Sequence, residues 1–227
     1  MNYEEAEKQS LILTENLCNN ILKNIPNLVI GGWAITAYCG NIRFTADIDV
    51  ITLPLTTMPV KKAFNKDWIT RKVFYGVQAE NKKLGIQAHI NTIAYIPDRS
   101  TKTRIIVPNE IFNNIKKEKV RGLYYKGFIE IPVCPFSYLL TLKAIPNRIK
   151  DDFDFALLML NENYNRNEFI NYLTKYAIKK HFIEKCKRLS NRAYFFSLSK
   201  TLITNYNFNI MQFNAINKEL EKIKELI

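Results

Sequence analysis

Between Tyr3 and Asn24 apolar residues recur at helical intervals, with Ala6, Leu11, Leu13, Leu17, Ile21 and Leu22 mostly on one side. This spacing predicts an amphipathic helix over 3–24 whose apolar side packs against the rest of the chain. A short apolar run, Leu28-Val29-Ile30, then ends in Gly31-Gly32, and Trp33 to Cys39 reads as a short helix closed by Gly40. From Asp47 to Thr52 acid and aliphatic residues alternate, which is a strand pattern. Further strands are expected at about 68–75, 85–95, 102–107 and 120–133, with a helix near 108–117. Beyond Pro132 and Pro135 helical spacing dominates, giving candidate helices at about 136–146, 150–160, 166–176, 178–189, 192–204 and 211–226. The expectation is an α+β chain: a mixed sheet flanked by helices over residues 1–133, then a helical bundle over 134–227. The two prolines mark the boundary, where strand pairing ends and a helix can begin.

Composition narrows this picture only a little. At 227 residues, 47% hydrophobic and 24% charged, the chain has the balance of an ordinary globular protein and not of a disordered or fibrous one. Met1 to Lys8 are polar and acidic, and no apolar run approaches the roughly 18 residues that span a bilayer. Neither export nor insertion is expected, so a cytoplasmic protein without a membrane partner is predicted. Cys18, Cys39, Cys134 and Cys186 form no CxxC pair, and His89 and His181 are the only histidines, so no zinc cage or disulfide framework follows from spacing. Charge is the one extreme value: 33 Lys and Arg against 21 Asp and Glu give +12. Such a field favours nucleic acid or nucleotide phosphates as partners, although richness in Ile, Asn and Lys also fits a genome biased to A and T.

The candidate chemistry starts with the glycines. Only seven occur, yet Gly31 and Gly32 are adjacent between a strand and a helix. There, backbone N–H groups at a helix start can approach a phosphate without Cβ obstruction, and the helix end adds partial positive charge. The bland alternative is a tight turn needing positive φ; the GxGxxG spacing of dinucleotide-binding folds is absent. Next comes Arg43-Phe44-Thr45-Ala46-Asp47-Ile48-Asp49. On a strand, Asp47 and Asp49 share a face with Cα atoms about 6.6 Å apart. Two carboxylates held so close repel unless a cation lies between them, and Mg²⁺ takes carboxylate oxygens together with substrate phosphates and water. A Mg–nucleotide site explains the pair economically; two acids facing solvent beside Arg43 or a lysine is the alternative.

Taken together, Val29-Ile30-Gly31-Gly32-Trp33-Ala34, Gly40, Arg43, Thr45 and Asp47-Ile48-Asp49 resemble the nucleotidyltransferase superfamily with a DNA polymerase β-like core. The form GGxA…G…RxTxDID is most similar to small nucleotidyltransferases related to AbiEii-type toxins. A second stretch, Lys143-Ala144 followed by Arg148, Lys150-Asp151, Asp154 and Leu157 or Leu158, resembles the KxxA…RxKDxxDxxxL motifs of the same family. The resemblance covers about residues 25–160. It implies that Gly31 and Gly32 hold a nucleoside triphosphate, that Asp47 and Asp49 bind Mg²⁺ (or Mn²⁺), and that Arg43 and Thr45 support the triphosphate or the turn. It further implies that Lys143 contacts phosphate or base and that Asp151 helps complete the site. On the residues alone, Asp151 and Asp152 suit the positive end of a helix and Lys143 a solvated face.

One departure stands out. Polymerase β-like enzymes usually carry a third acid on a later strand, but Gly-Ile-Gln-Ala-His-Ile-Asn-Thr-Ile-Ala-Tyr over 85–95 has no carboxylate, and His89 or Asn91 occupies the expected region. Histidine can accept a proton near neutral pH, and a packed histidine on a sheet is the plainer reading. Farther on, Lys179, Lys180, Lys185, Lys187, Arg188 and Arg192 interleave with Phe182, Tyr194, Phe195 and Phe196, a pattern that suits RNA or a helix packed on its aromatic side. The function expected is transfer of a nucleoside monophosphate to an acceptor hydroxyl, with tRNA as the toxin-like acceptor and a neutralising antitoxin as partner. A non-catalytic nucleotide- or RNA-binding relative is the alternative, and a glycosyltransferase with a nucleotide-sugar DxD is a third.

Overall fold

A computed structural model of the chain describes residues 2–53, 58–113 and 115–227. It divides into two compact units, Met1–Pro97 with Ile106–Pro135, and Asp98–Ile105 with Phe136–Ile227.

In the first unit, α1 (Tyr3–Asn16) starts at Asn2, whose side chain accepts from Glu5 N, and runs on through a π-helical turn at Leu17–Ile21. The chain then forms β1 (Asn27–Ile30), α2 (Gly31–Cys39), β2 (Ile48–Thr52), the single-turn α3 (Met58–Lys61), β3 (Ile69–Val73), β4 (Gly76–Asn81) and β5 (Ile86–Asn91). After these come β6 (Tyr95–Asp98) and β7 (Thr103–Ile106), a separate two-stranded ribbon of which Asp98 and Thr103–Ile105 are counted in the second unit, and then, back in the first, β8 (Lys116–Val120) and β9 (Ile129–Val133). The main sheet has the order β3-β4-β5-β2-β1-β9-β8. It is mixed, because β2 runs parallel to β5 and β1 parallel to β9, while the other pairs are antiparallel.

Register explains which side is core. Val29 lies opposite Val50, Val50 opposite Ile90 and Ile90 opposite Val77, and all four are fully buried. Removing each such side chain from water contributes about 1.5–3 kcal/mol. By the period of two, Asp49, His89 and Gln78 form the corresponding row on the other face. Trp33 on α2 is fully buried and donates from its indole N–H to Ser10 Oγ of α1 at 2.8 Å, which fixes α2 against α1.

Several expectations need correcting. Among the described residues no α-helix forms at 108–117: a 3₁₀ turn at Asn109–Phe112 precedes β8. That strand, Lys-Lys-Glu-Lys-Val, is an edge paired only with β9, and lysines on an edge discourage further pairing, so its composition hides its conformation. The strand expected over 120–133 is confined to Ile129–Val133, and β4 is additional to the expected set.

The second unit is helical: α4 (Phe136–Ala144), α5 (Ile149–Met159), α6 (Arg166–Lys175), α7 (Lys179–Leu189), α8 (Arg192–Ser197) and α9 (Ile210–Leu226). Asparagine side chains start three of them: Asn165 accepts from Glu168 N, Asn191 from Tyr194 N, and Asn209 forms a reciprocal capping box with Gln212. Phe155, Phe169 and Phe182 pack ring to ring in the core, with centroids 5.6–6.3 Å apart. Among the described residues no helix is long and apolar enough to cross a membrane.

Candidate active site

The first unit gathers the glycine pair and the motif that follows it. Gly31 and Gly32 are the first two residues of α2, and Gly31 has φ +70, in the left-handed region that glycine enters without strain. Space matters as much as torsion. A Cβ on Gly31 would lie 2.2 Å from Asp49 Oδ2, and one on Gly32 would lie 2.0 Å from Thr45 Oγ1 and 3.4 Å from an Arg43 guanidinium nitrogen. Each glycine is therefore the floor on which a later motif residue rests. Antiparallel pairing produces this meeting: Ile30 lies opposite Asp49, so the residue after Ile30 turns into α2 directly beside the Asp49 carboxylate.

Arg43 and Thr45 are buried, in the connection between α2 and β2, and Arg43 donates to Phe44 O at 3.0 Å. Asp49 is part-exposed, with 30% of its side chain open to solvent. Asp47 precedes β2 instead of lying in it, and its Oδ1 accepts from Gln87 N at 3.3 Å. The expected strand thus begins one residue later than the alternation suggests, because Asp47 satisfies the neighbouring backbone with its side chain.

Of the two residues in the third acid's region, His89 is the one at the site. It lies directly opposite Asp49, with Nδ1 3.3 Å from Asp49 Oδ1. Asn91 instead donates to the carbonyls of Ile93 and Tyr95 and shapes the end of β5. Sequence reading misses β4, and with it Gln78 and Glu80, which pair with His89 and Gln87 and share their face. The signal was present in the alternation of buried Val77 and Ala79 with Gln78 and Glu80.

Among the described residues no three His, Cys, Asp or Glu side chains gather closely enough to hold an ion by themselves. Asp47 and Asp49 nevertheless suit a Mg²⁺ ion that arrives with a nucleotide, since such ions commonly take one or two carboxylates and complete their shell from phosphates and water. The missing Cβ of Gly31 lets the Asp49 carboxylate lie against the start of α2.

Lys143 and Asp151 belong to the second unit and meet there. Lys143 Nζ lies 2.8 Å from Asp151 Oδ1 and 2.8 Å from Asp154 Oδ2, and Arg148 Nε is 2.5 Å from Asp151 Oδ2. Burial by itself would raise the Asp151 carboxyl; Lys143 and Arg148 outweigh it and hold the group well below the usual carboxylate range. Lys143 is nearly buried, so the alternative of a solvated helix face does not hold.

The interleaved stretch of α7 and α8 also has a different role. Lys185 is fully buried and bonded to Asp152 and to Pro146 O, Arg188 bonds Asp152 and Asn147, and Tyr194 donates to Asp152 Oδ2. Phe182 and Phe195 are core. A continuous RNA-binding face on that stretch is therefore corrected: its central cations and aromatics hold the unit together.

No protein-family model matches the chain, and no curated protein matches it in sequence. Solved structures do match in shape. The crystal structure of JHP933 from Helicobacter pylori aligns over 100% of this chain and 94% of its own, at TM-score 0.51 and 13% identity. That of a proposed nucleotidyltransferase from H. pylori aligns over 100% and 96%, at TM-score 0.51 and 11% identity. MenT4, a nucleotidyltransferase toxin from Mycobacterium tuberculosis, aligns over 100% and 87%, at TM-score 0.49 and 13% identity. The chain has a nucleotidyltransferase-like α+β fold.

Proposed function

We propose that this chain is a metal-dependent nucleotidyltransferase that moves a nucleoside monophosphate from a nucleoside triphosphate to an acceptor hydroxyl. The observation that carries the reading is the fit of each glycine against a motif side chain, Gly31 on Asp49 and Gly32 on Thr45 and Arg43. These contacts bring a carboxylate, a hydroxyl and a guanidinium against the start of α2, the groups that a triphosphate and its cation would meet beside helix N–H groups.

In this reading the triphosphate lies along the first turn of α2, its charge met by backbone N–H groups and by Arg43. Asp47 and Asp49 would hold Mg²⁺ or Mn²⁺, which polarises the phosphates and offsets charge on the leaving group. The acceptor oxygen bonds to the α-phosphorus, the bond from that phosphorus to the bridging oxygen breaks, and pyrophosphate leaves with the electron pair. The hydroxyl proton passes to solvent or to a neighbouring base. Gln87 N steadies Asp47 and the pairing of β1 with β2 steadies Asp49, so the protein supplies position and field with little covalent work. Lys143 and Asp151 have a supporting role in this proposal, as the motif resemblance implies. The same resemblance extends the proposal to a toxin-like enzyme that modifies RNA, tRNA in particular, and is neutralised by an antitoxin.

A second reading has its own observation. His89 stands beside Asp49 where the resembled family carries an acid, which suits a relative that binds nucleotide without transferring it. Each nucleoside triphosphate labelled at the α-phosphate, supplied with Mg²⁺ and total RNA or cell extract, separates the two. Label retained on a macromolecule by the native chain, and reduced at least about 100-fold by Asp47→Ala and Asp49→Ala, is the expected result. Binding without retained label selects the second reading, and retention unaffected by either substitution defeats the proposal.

A further inference from the structure

Helix α1 has two stripes, and the core accounts for one of them. Ala6, Ser10, Leu11 and Thr14 are buried, and so is Glu7, which clasps the loop between β8 and β9 by accepting from the backbone N–H groups of Leu123, Tyr124 and Tyr125 at 3.0, 2.7 and 3.0 Å. Glu5, Gln9, Ile12, Leu13 and Asn16 have the helical spacing of a second stripe, and Ile12 on it is 44% exposed. That stripe is one wall of a cavity of about 540 Å³, within the range of small-molecule sites. The stretch 63–68 after α3 and the turn from β4 to β5 at 81–84 supply the other walls. The cavity is separate from the candidate active site. Asn81 pairs with Ile86 and alternates with Val77 and Ala79, so it lies on the buried face of the sheet, whereas Asp49 and His89 lie on the other.

The lining offers charge of both signs. Asn65 and Asn81 each spend the side-chain oxygen on the protein, accepting from Asp67 N at 3.0 Å and from Leu84 N at 3.2 Å, so each amide NH2 is left to donate. Asn81 is only 5% exposed, which makes its donor a buried one. Among the described residues neither the Lys83 ammonium nor the Asp67 carboxylate has an ion-pair partner, while Glu5 accepts from Gln9 at 2.8 Å. Ile12, Leu13, Leu84 and the Trp68 ring are the apolar part, and Phe64 packs on Trp68 with centroids 5.2 Å apart. Simpler occupants fit poorly. Glu5 and Asp67 repel a phosphate, Lys83 repels a bare cation, and a wholly apolar ligand leaves the Asn81 donor unsatisfied. From Glu5 to Asn16 the helix rises about 16 Å, which an extended chain of about four residues nearly spans.

We infer that this cavity binds a short apolar peptide with free ends, about four residues long. Its ammonium meets Asp67, its carboxylate meets Lys83 and the Asn81 amide, and its side chains lie against Ile12, Leu13, Trp68 and Leu84. The inference does not rest on the transferase reading.

Titrating the full chain, without nucleotide, with the tetrapeptide Leu-Ala-Leu-Ala tests it by calorimetry and tryptophan fluorescence. Of the two tryptophans Trp33 is fully buried and Trp68 lines the cavity, so the fluorescence change disappears in Trp68→Phe while calorimetric binding persists. Acetylating the amine or amidating the carboxylate of the peptide weakens binding about fivefold each. Lys83→Met weakens the free-ended peptide about fivefold and leaves the amidated one unchanged, and Asp67→Asn does the same for the free-ended and acetylated forms. Absence of saturable binding, equal affinity for the blocked peptides or for free leucine, a fluorescence change that survives Trp68→Phe, or a Lys83→Met loss shared by the amidated peptide overturns the inference. The label-transfer assay contains no such peptide, so either reading can fail without the other.

Discussion

Substituting Gly31 with alanine tests the site where torsion and crowding coincide. Two costs arise together. The backbone at φ +70 is uncomfortable for any L side chain, by about 1–2 kcal/mol, and the new methyl group would sit 2.2 Å from Asp49 Oδ2, where ordinary contact begins at 3.4 Å. Asp49 must then retreat by about 1 Å, and a misplacement of that size at a reacting centre costs about 100-fold in rate. Gly40 supplies the control. It has φ +80 but nothing within 4 Å of an added Cβ, so Gly40→Ala carries the torsional cost alone. Both variants should melt about 2–8 °C lower by circular dichroism. Only Gly31→Ala should lose nucleotide affinity by calorimetry and label transfer in the assay described above. Equal loss of transfer in both variants, or none in Gly31→Ala, would refute the claim that the close approach of Asp49 to α2 is what the glycine preserves.

Two predictions concern the second unit. Lys185→Met leaves Asp152 buried with only Arg188 and Tyr194 as partners, and should destabilise the chain by about 3 kcal/mol in urea titration; a loss under about 1 kcal/mol would show that Lys185 is dispensable there. Asp151 and Asp152 should make the unit acid-sensitive. Burial opposes ionisation at both, yet Lys143 and Arg148 at the first, and Arg188, Lys185 and Tyr194 at the second, hold the folded carboxyls below the ordinary 3.8. Stability from a depressed carboxyl is complete above its unfolded value and drains away as pH falls toward the folded one. The urea midpoint should therefore stay level with respect to these groups from pH 7 to about 5 and drop below about 4, and Asp151→Asn should flatten that drop.

The legible parts of the site are those whose chemistry is written locally. Gly31-Gly32 ends an apolar run, and Asp47 and Asp49 alternate with aliphatics, so position and spacing nominate both as candidates. Helices α4 to α9 are similarly local, since each shows its apolar period and, in three cases, its Asn cap. What sequence leaves hidden depends on partners far along the chain. Lys185 reads as a surface cation until Asp152, 33 residues earlier, is seen to bond it in the core. Most of β8 goes unassigned from sequence because an edge strand needs little apolar patterning. Glu7 looks like one more polar residue of an amphipathic helix, and nothing near it announces the three amides it accepts.

That clasp also orders events during synthesis. Glu7 and its amide partners are separated by 116 to 118 residues, and β1 finds its parallel neighbour only once β9 exists. A ribosome that has made α1, α2 and the aspartate strand has therefore made most of the candidate site's residues without the outer strands that complete their sheet. Contacts so remote in sequence carry a large loop-closure cost and are associated with slow folding. The first unit should accordingly reach its native state late, after residue 133 has emerged, with the loop between β8 and β9 locking in the same cooperative step.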